Sequence, residues 1–162
     1  MLIEECAMAN RIQELVDMLN KALEMEQAAN IQYLSMAELV DGLNAEPIME
    51  RLQEIAGDER EHAAKLRSLI NDYLDGVPSM ALAPTKKAST IEEILKANLK
   101  DEKEAVDYYA QVHAKIVELK GELAYAYHTL EHDVRHILTE EQEHIAELRR
   151  LLGWSREQML KW

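Results

Sequence analysis

The sequence predicts an all-α protein, a four-helix bundle with a long crossover between its second and third helices. Three observations predict it. Apolar residues recur at alternating steps of three and four through four long stretches. Glycine (5) and proline (3) are few and confined to a few places. No β-branched or aromatic run alternates with period two, so no strand is expected. At 162 residues the chain is expected to form one domain, residues 1–162, long enough to bury a core.

The first helix is expected over about residues 9–40. Its seam reads Ile12, Leu15, Leu19, Ala22, Glu26, Ala29, Tyr33, Ala37, Val40. A carboxylate, Glu26, thus takes a core slot, with Tyr33 two turns further along the same face. Gly42 closes this helix, and Asn44 with Pro47 opens the second. The short link makes the two an antiparallel pair.

The second helix is expected over about residues 46–75, stopped by Gly76 and Pro78. Its apolar positions run Ile48, Leu52, Ile55, then Leu66, Leu69, Tyr73. Continuing the same spacing through the gap lands on Glu59 and His62. A Glu-x-x-His places both side chains on one helix face.

Residues 76–89 follow, rich in Pro, Ser, Ala and Thr and without helical pattern. Unstructured connections of this length are uncommon unless they do a job. At about 3.3 Å per residue the segment reaches roughly 45 Å, which is also the length of a thirty-residue helix. It can run the length of the bundle and start the third helix at the far end, parallel to the second.

The third helix, about residues 90–120, opens with overlapping capping boxes in Ser89-Thr90-Ile91-Glu92-Glu93. Its seam reads Ile91, Leu95, Asn98, Glu102, Ala105, Tyr109, Val112, Ile116. Glu102 is again a core carboxylate, with Tyr109 two turns beyond. Gly121 breaks the chain, and a fourth helix is expected over about residues 122–152, ended by Gly153. Its apolar positions Tyr127, Leu130, Val134, Ile137, Leu148 and Leu151 leave a gap filled by Glu141 and His144. Asp133 and His136 form a third such pair, but beside the seam, and read as solvated. With 31 acidic residues and 6 histidines, about one Glu/Asp-x-x-His is expected by chance. Position in the core, not the motif alone, singles out the other two.

The chain is therefore two similar halves, each a helix with a core Glu and a later Tyr followed by a helix with a core Glu-x-x-His. Buried carboxylates without partners cost several kcal/mol or change protonation state. A metal ion removes that cost, and imidazole with carboxylate suits iron, manganese or zinc. Two single Glu and two Glu-x-x-His are the donor set of di-iron and di-manganese carboxylate bundles, a pairing already described in general terms for such folds.

Charge and composition bound the alternatives. The net charge of −13 argues against nucleic-acid binding, which needs clustered Lys and Arg. A single cysteine, Cys6, excludes an internal disulfide, a Cys-x-x-Cys site and an iron–sulfur cluster. No apolar run approaches membrane-spanning length, and the N-terminal stretch lacks the pattern of a secretion signal. A cytoplasmic protein is expected.

The chain resembles the ferritin-like di-iron carboxylate family, most of all bacterioferritin, along nearly its whole length. The resemblance is carried by Leu19-Asn20-Lys21 followed by Glu26 and Gln32-Tyr33, and by the Gly76-Val77-Pro78 crossover. Ile91-Glu92-Glu93-Ile94-Leu95 leading to Glu102, and Glu141 to His144 followed by Ile145 and Leu148, continue it. It implies a ferritin-like four-helix bundle and two metal positions. Glu26 with His62 would be terminal ligands of one and Glu102 with His144 of the other, while Glu59 and Glu141 would bridge. Tyr33 would lie just outside the ligands. The implied activity is oxidation of Fe(II) by O2 or H2O2 for iron storage or detoxification, with two Fe ions, or Mn or a mixed pair, and a homo-oligomer of at least two chains. Three departures qualify it. Arg60 stands where bacterioferritin has its haem-ligating Met, which argues against haem. The connection between the third and fourth helices is longer. The stretch after Gly153 is short, so the fifth helix that helps build a shell is expected to be missing or truncated. Rubrerythrin is the rival, with an extra Glu where this chain has Ala105 and a cysteine-bound module it lacks. It leaves open a peroxidase or oxidase acting on another substrate. A metal-stabilised helical module without activity is a third reading.

Overall fold

The computed structural model describes residues 2–160, and the side chains of residues 7–158. Four long helices account for most of it: α1 (Leu2–Ala37), α2 (Ala45–Ser68), α3 (Ile91–Glu118) and α4 (Tyr127–Leu151). A five-residue helix, α5 (Arg156–Leu160), follows. There is no strand among the described residues.

The bundle is held by two apolar cores at opposite ends. One joins Leu15 and Leu19 of α1 to Leu66, Val112, Ile116, Leu130 and Val134. The other joins Tyr33, Met36 and Ala37 to Leu52, Ile55, Leu95, Leu99 and Leu148. The start of α3 therefore lies at the same end of the bundle as the start of α2, where the end of α1 meets both. This is the parallel arrangement of second and third helices that a full-length crossover requires.

The crossover is a strap laid along α1. The Asn20 side chain donates to the Val77 carbonyl (3.0 Å) and accepts from the Ser79 amide (2.7 Å). Further along, Gln27 donates to the Ala81 carbonyl (2.6 Å), the Ala83 amide to Glu24 O (3.0 Å), and the Lys86 amide to Gln32 Oε1 (2.6 Å). Polar side chains on the outer face of α1 thus satisfy a backbone that has no ladder of its own. Where the strap leaves α2, Gly76 is pressed so close that a Cβ would lie 2.8 Å from Val16 Cγ1 and 3.1 Å from the Ile70 carbonyl oxygen.

Several boundaries differ from the sequence reading. Helix α1 starts at Leu2, not near Ala9, and ends at Ala37, not Val40. No breaker interrupts its first residues, and the early acidic pair Glu4-Glu5 suits a helix N-terminus. Asn44 precedes α2 but makes no capping bond from its side chain. The last turn of α2 widens to a π-turn over Leu69–Tyr73, and that shift in phase turns Tyr73 out to solvent. Helix α4 starts at Tyr127 rather than Glu122 because residues 119–126 form consecutive turns, with Leu119 and Leu123 buried beneath the core. After Gly153, Ser155 and Gln158 cap α5 reciprocally, with Ser155 N donating to Gln158 Oε1 (2.7 Å) and Gln158 N to Ser155 Oγ (3.3 Å). Trp154 packs on the second core, and Trp162 lies outside the described residues.

Candidate metal centre

Between the two apolar cores lies a polar layer. Glu26, Glu59, His62, Glu102, Glu141 and His144 are all at least 97% buried there, one or two from each long helix. The six positions singled out by the seam pattern are brought together without exception. They form two overlapping groups, each able to hold a metal ion. One is Glu26, Glu59, His62 and Glu141, and the other is Glu59, Glu102, Glu141 and His144. Glu59 and Glu141 belong to both.

The Nδ1 atoms of the two histidines face the carboxylates. His62 Nδ1 lies 2.9 Å from Glu141 Oε1, 3.2 Å from Glu59 Oε2 and 3.4 Å from Glu26 Oε2. His144 Nδ1 lies 3.4 Å from Glu59 Oε1, 3.7 Å from Glu102 Oε2 and 3.9 Å from Glu141 Oε2. Of these contacts only that of His62 Nδ1 to Glu59 Oε2 is aligned as a hydrogen bond. Glu59 Oε1, Glu141 Oε1 and His144 Nδ1 have no hydrogen-bond partner although they are buried. Buried polar atoms are rarely left so. A cation placed among them would satisfy all three, and the oxygen–imidazole donor set suits iron, manganese or zinc.

Each histidine is steadied from behind. His62 Nε2 meets Glu140 Oε2 at 2.9 Å, and His144 Nε2 meets Asp58 Oδ2 at 3.3 Å. Each of these acids directly precedes the Glu of the opposite Glu-x-x-His. With its outer nitrogen donating to a carboxylate, an imidazole keeps Nδ1 free as a ligand. Sequence reasoning missed both residues. The available signal was an acid immediately before each core Glu, in Asp58-Glu59 and Glu140-Glu141.

The tyrosines are arranged crosswise. Tyr33 of α1 donates to Glu102 of α3, and Tyr109 of α3 donates to Glu26 of α1. Tyr33 therefore touches a core carboxylate, and Tyr109 is its counterpart. Burial, then the nearby carboxylate charge, pushes both phenols well above their usual range.

Packed this closely, the six groups shift one another's protonation. Burial, and then the charges of Glu141 and Glu59, push Glu26 and Glu102 well above the ordinary carboxylate range. Burial also works against ionised Glu59 and Glu141, but the neighbouring Glu26 and Glu102 carboxyls and the two imidazoles outweigh it and hold them low. Burial alone would depress the histidines, yet the surrounding carboxylates raise both. With Glu26 and Glu102 protonated and both imidazoles charged, the six groups would sum to zero charge. Two divalent ions, four carboxylates and two neutral imidazoles also sum to zero. The buried site can therefore exchange protons for metal without stranding net charge.

Several known proteins are similar to this chain. The ferritin-like domain family matches residues 16–156. "Bacterial ferritin" of Pseudomonas aeruginosa is 33% identical over 91 residues, 56% of this chain, and the match spans only 58% of that protein's length. A ferritin-like di-iron carboxylate protein from Bacillus anthracis superposes with TM-score 0.81 at 26% identity, covering 88% of this chain and 97% of that one. A dodecameric thioferritin from Bacteroides fragilis, described as bacterioferritin-related, gives 0.75 at 26%, covering 88% and 86%. Rhodobacter capsulatus bacterioferritin, which contains haem iron, shares the fold with TM-score 0.72 at 22%, covering 85% and 82%. No helix among the described residues is long and apolar enough to cross a membrane.

Proposed function

This chain belongs to the ferritin-like domain family, and from that premise we propose that it is a non-haem di-iron protein that oxidises Fe(II) with O2 or H2O2, serving iron storage or detoxification. The observation that carries this reading is the pair of overlapping donor groups sharing Glu59 and Glu141. Two irons held there would each supply one electron to a shared oxidant.

The chain's own residues do the rest. Glu26 and His62 would hold one metal, Glu102 and His144 the other, and Glu59 and Glu141 would span both. Tyr33 and Tyr109 fix the outer carboxylates, so those groups need not reorganise when a metal arrives. Glu140 and Asp58 accept a hydrogen bond from the outer nitrogen of His62 and His144 respectively. The apolar cores above and below close the layer at both ends, and fixed charges act strongly in such surroundings. Ferrous iron is the substrate of this reaction, and a homo-oligomer of at least two chains is its proposed setting.

The test is aerobic turnover of excess Fe(II) by metal-free protein, counted as iron oxidised per chain above a buffer blank. Turnover well beyond two irons per chain is expected. A halt near two, the occupancy of a two-metal site, would assign the centre to another substrate.

A further inference from the structure

A cavity of about 410 Å³ lies between α1, α3 and the crossover. Protein interiors are otherwise close-packed, with few voids larger than a water molecule. This one falls in the range of roughly 300–1,000 Å³ found for small-molecule sites. It is lined by Glu26, Glu59, Glu102 and Glu141 but by neither histidine, so it reaches the metal centre from the carboxylate side alone.

Small side chains make the space. Ala29 on α1 faces it, as does Ala105, one turn beyond Glu102 on α3, and Ala83 and Pro84 of the crossover form its roof. The wall nearest the mouth is locked. Gln32 Nε2 donates to Asn98 Oδ1 (3.0 Å) and Asp101 Oδ2 (2.7 Å), while Gln32 Oε1 accepts from the Lys86 amide (2.6 Å). Lys86 also pairs with Asp101. The roof is thereby tied to both helices, and the chamber is formed before anything enters it. A preformed site spares a ligand the ordering of its own walls.

The lining decides what fits. Most of its exposed surface is apolar, and the polar groups beside the roof, Gln32, Asn98, Asp101 and Lys86, are already bonded to one another. A charged organic molecule would lose its hydration over that apolar surface. We propose that this cavity binds a small uncharged organic molecule with an apolar body and presents it to the carboxylate side of the centre. The proposal rests on reading the cluster as a metal centre and names the class of second molecule that meets it there.

The test is a 19F NMR titration of the metal-free full chain with 4-fluorophenol, and with 4-fluorobenzoate as its charged counterpart. Saturable binding of the phenol is expected, with none for the benzoate. Ala105→Leu fills the chamber from α3, and Ala83→Phe fills it from the roof, outside the helical packing. Each should weaken the phenol at least about tenfold, or about 1.4 kcal/mol. If Ala105→Leu does not fold, Ala83→Phe decides alone. No saturable phenol binding by the wild type, undiminished binding in the folded variants, or equal binding of the benzoate would overturn the proposal. Probe binding needs no iron, so a failure of ferroxidase activity leaves this result readable, and the reverse holds too.

Discussion

His62 and His144 occupy equivalent places in the two helical halves, yet their outer nitrogens keep different company. Glu140, behind His62, is one-third exposed and also lies 3.1 Å from His136 Nδ1 and 3.9 Å from Lys65 Nζ. Asp58, behind His144, is half exposed and sits further away, at 3.3 Å. Inside the layer the same contrast holds, because the contacts of His62 to the carboxylates are shorter than those of His144. An internal repeat has thus kept its donors equivalent while the supports around them have diverged. The shared donors should behave alike under mutation, and the supports should not.

The largest effect should come from the residues both halves share. Glu59→Ala removes a donor from both metal groups at once, and Glu141→Ala does the same. Each is expected to bring Fe(II) oxidation down to the buffer blank and to lower metal bound per chain, measured by elemental analysis after gel filtration. Glu26→Ala and Glu102→Ala each touch one group only and should leave one metal bound. If Glu59→Ala oxidises iron at the wild-type rate, the shared-bridge reading fails.

Proton exchange is the next largest effect, and it tests whether the two halves act as one unit. Loading two divalent ions into the neutral cluster should release about four protons per chain, read in a pH-stat. The same groups set the stability of the metal-free protein. The folded-state pKa of His62 and His144 is raised, so their contribution is complete below about 6.5 and is lost as pH climbs toward the folded values. Glu26 and Glu102 are raised as well, so the folded state again holds more protons than the unfolded one above the ordinary carboxylate range. All four push the same way. The melting temperature of metal-free protein should fall between pH 6.5 and 9, and metal binding should tighten across that interval. A flat or rising metal-free curve would show that the cluster is not balanced by protons.

The supports come third. Asp58→Ala and Glu140→Ala each loosen one imidazole, and such changes typically weaken metal binding about 10- to 100-fold. Glu140→Ala should be the more severe, since its contact is shorter and it also organises His136 and Lys65. Competition titrations with a chromophoric chelator would rank the two, and equal losses would remove the asymmetry argued above.

These residues mark where the sequence was legible. The six core donors were readable because each interrupts an otherwise apolar seam, and a carboxylate in such a slot demands a reason. Asp58 and Glu140 interrupt nothing. They lie beside the seam, where an acidic residue is the ordinary expectation, and only the fold shows that each meets the opposite helix's histidine. The course of the crossover was readable from length, but its anchoring by Asn20 and Gln27 was not, since polar residues on an outer helix face ordinarily meet water. The end of α2 escaped for a different reason. A π-turn changes the phase of the helix, and a fixed three-and-four spacing carried through it puts Tyr73 on the wrong side.

The smallest effect separates the two halves at their helix starts. Helix α3 opens with a complete capping box. Glu93 N donates to Thr90 Oγ1 (3.2 Å), and Thr90 N donates to Glu93 Oε2 (3.2 Å), with Ser89 Oγ adding a bond to the same oxygen (3.0 Å). Helix α2 opens after Asn44, whose side chain caps nothing. Thr90→Ala should therefore cost about 1 kcal/mol, the usual value for losing a helix cap. Asn44→Ala should be close to neutral, although Asn ranks among the best caps by residue type. Urea melts of the metal-free protein would show the difference. An equal loss in both variants would mean that the crossover gives the second half no firmer start than the short link gives the first.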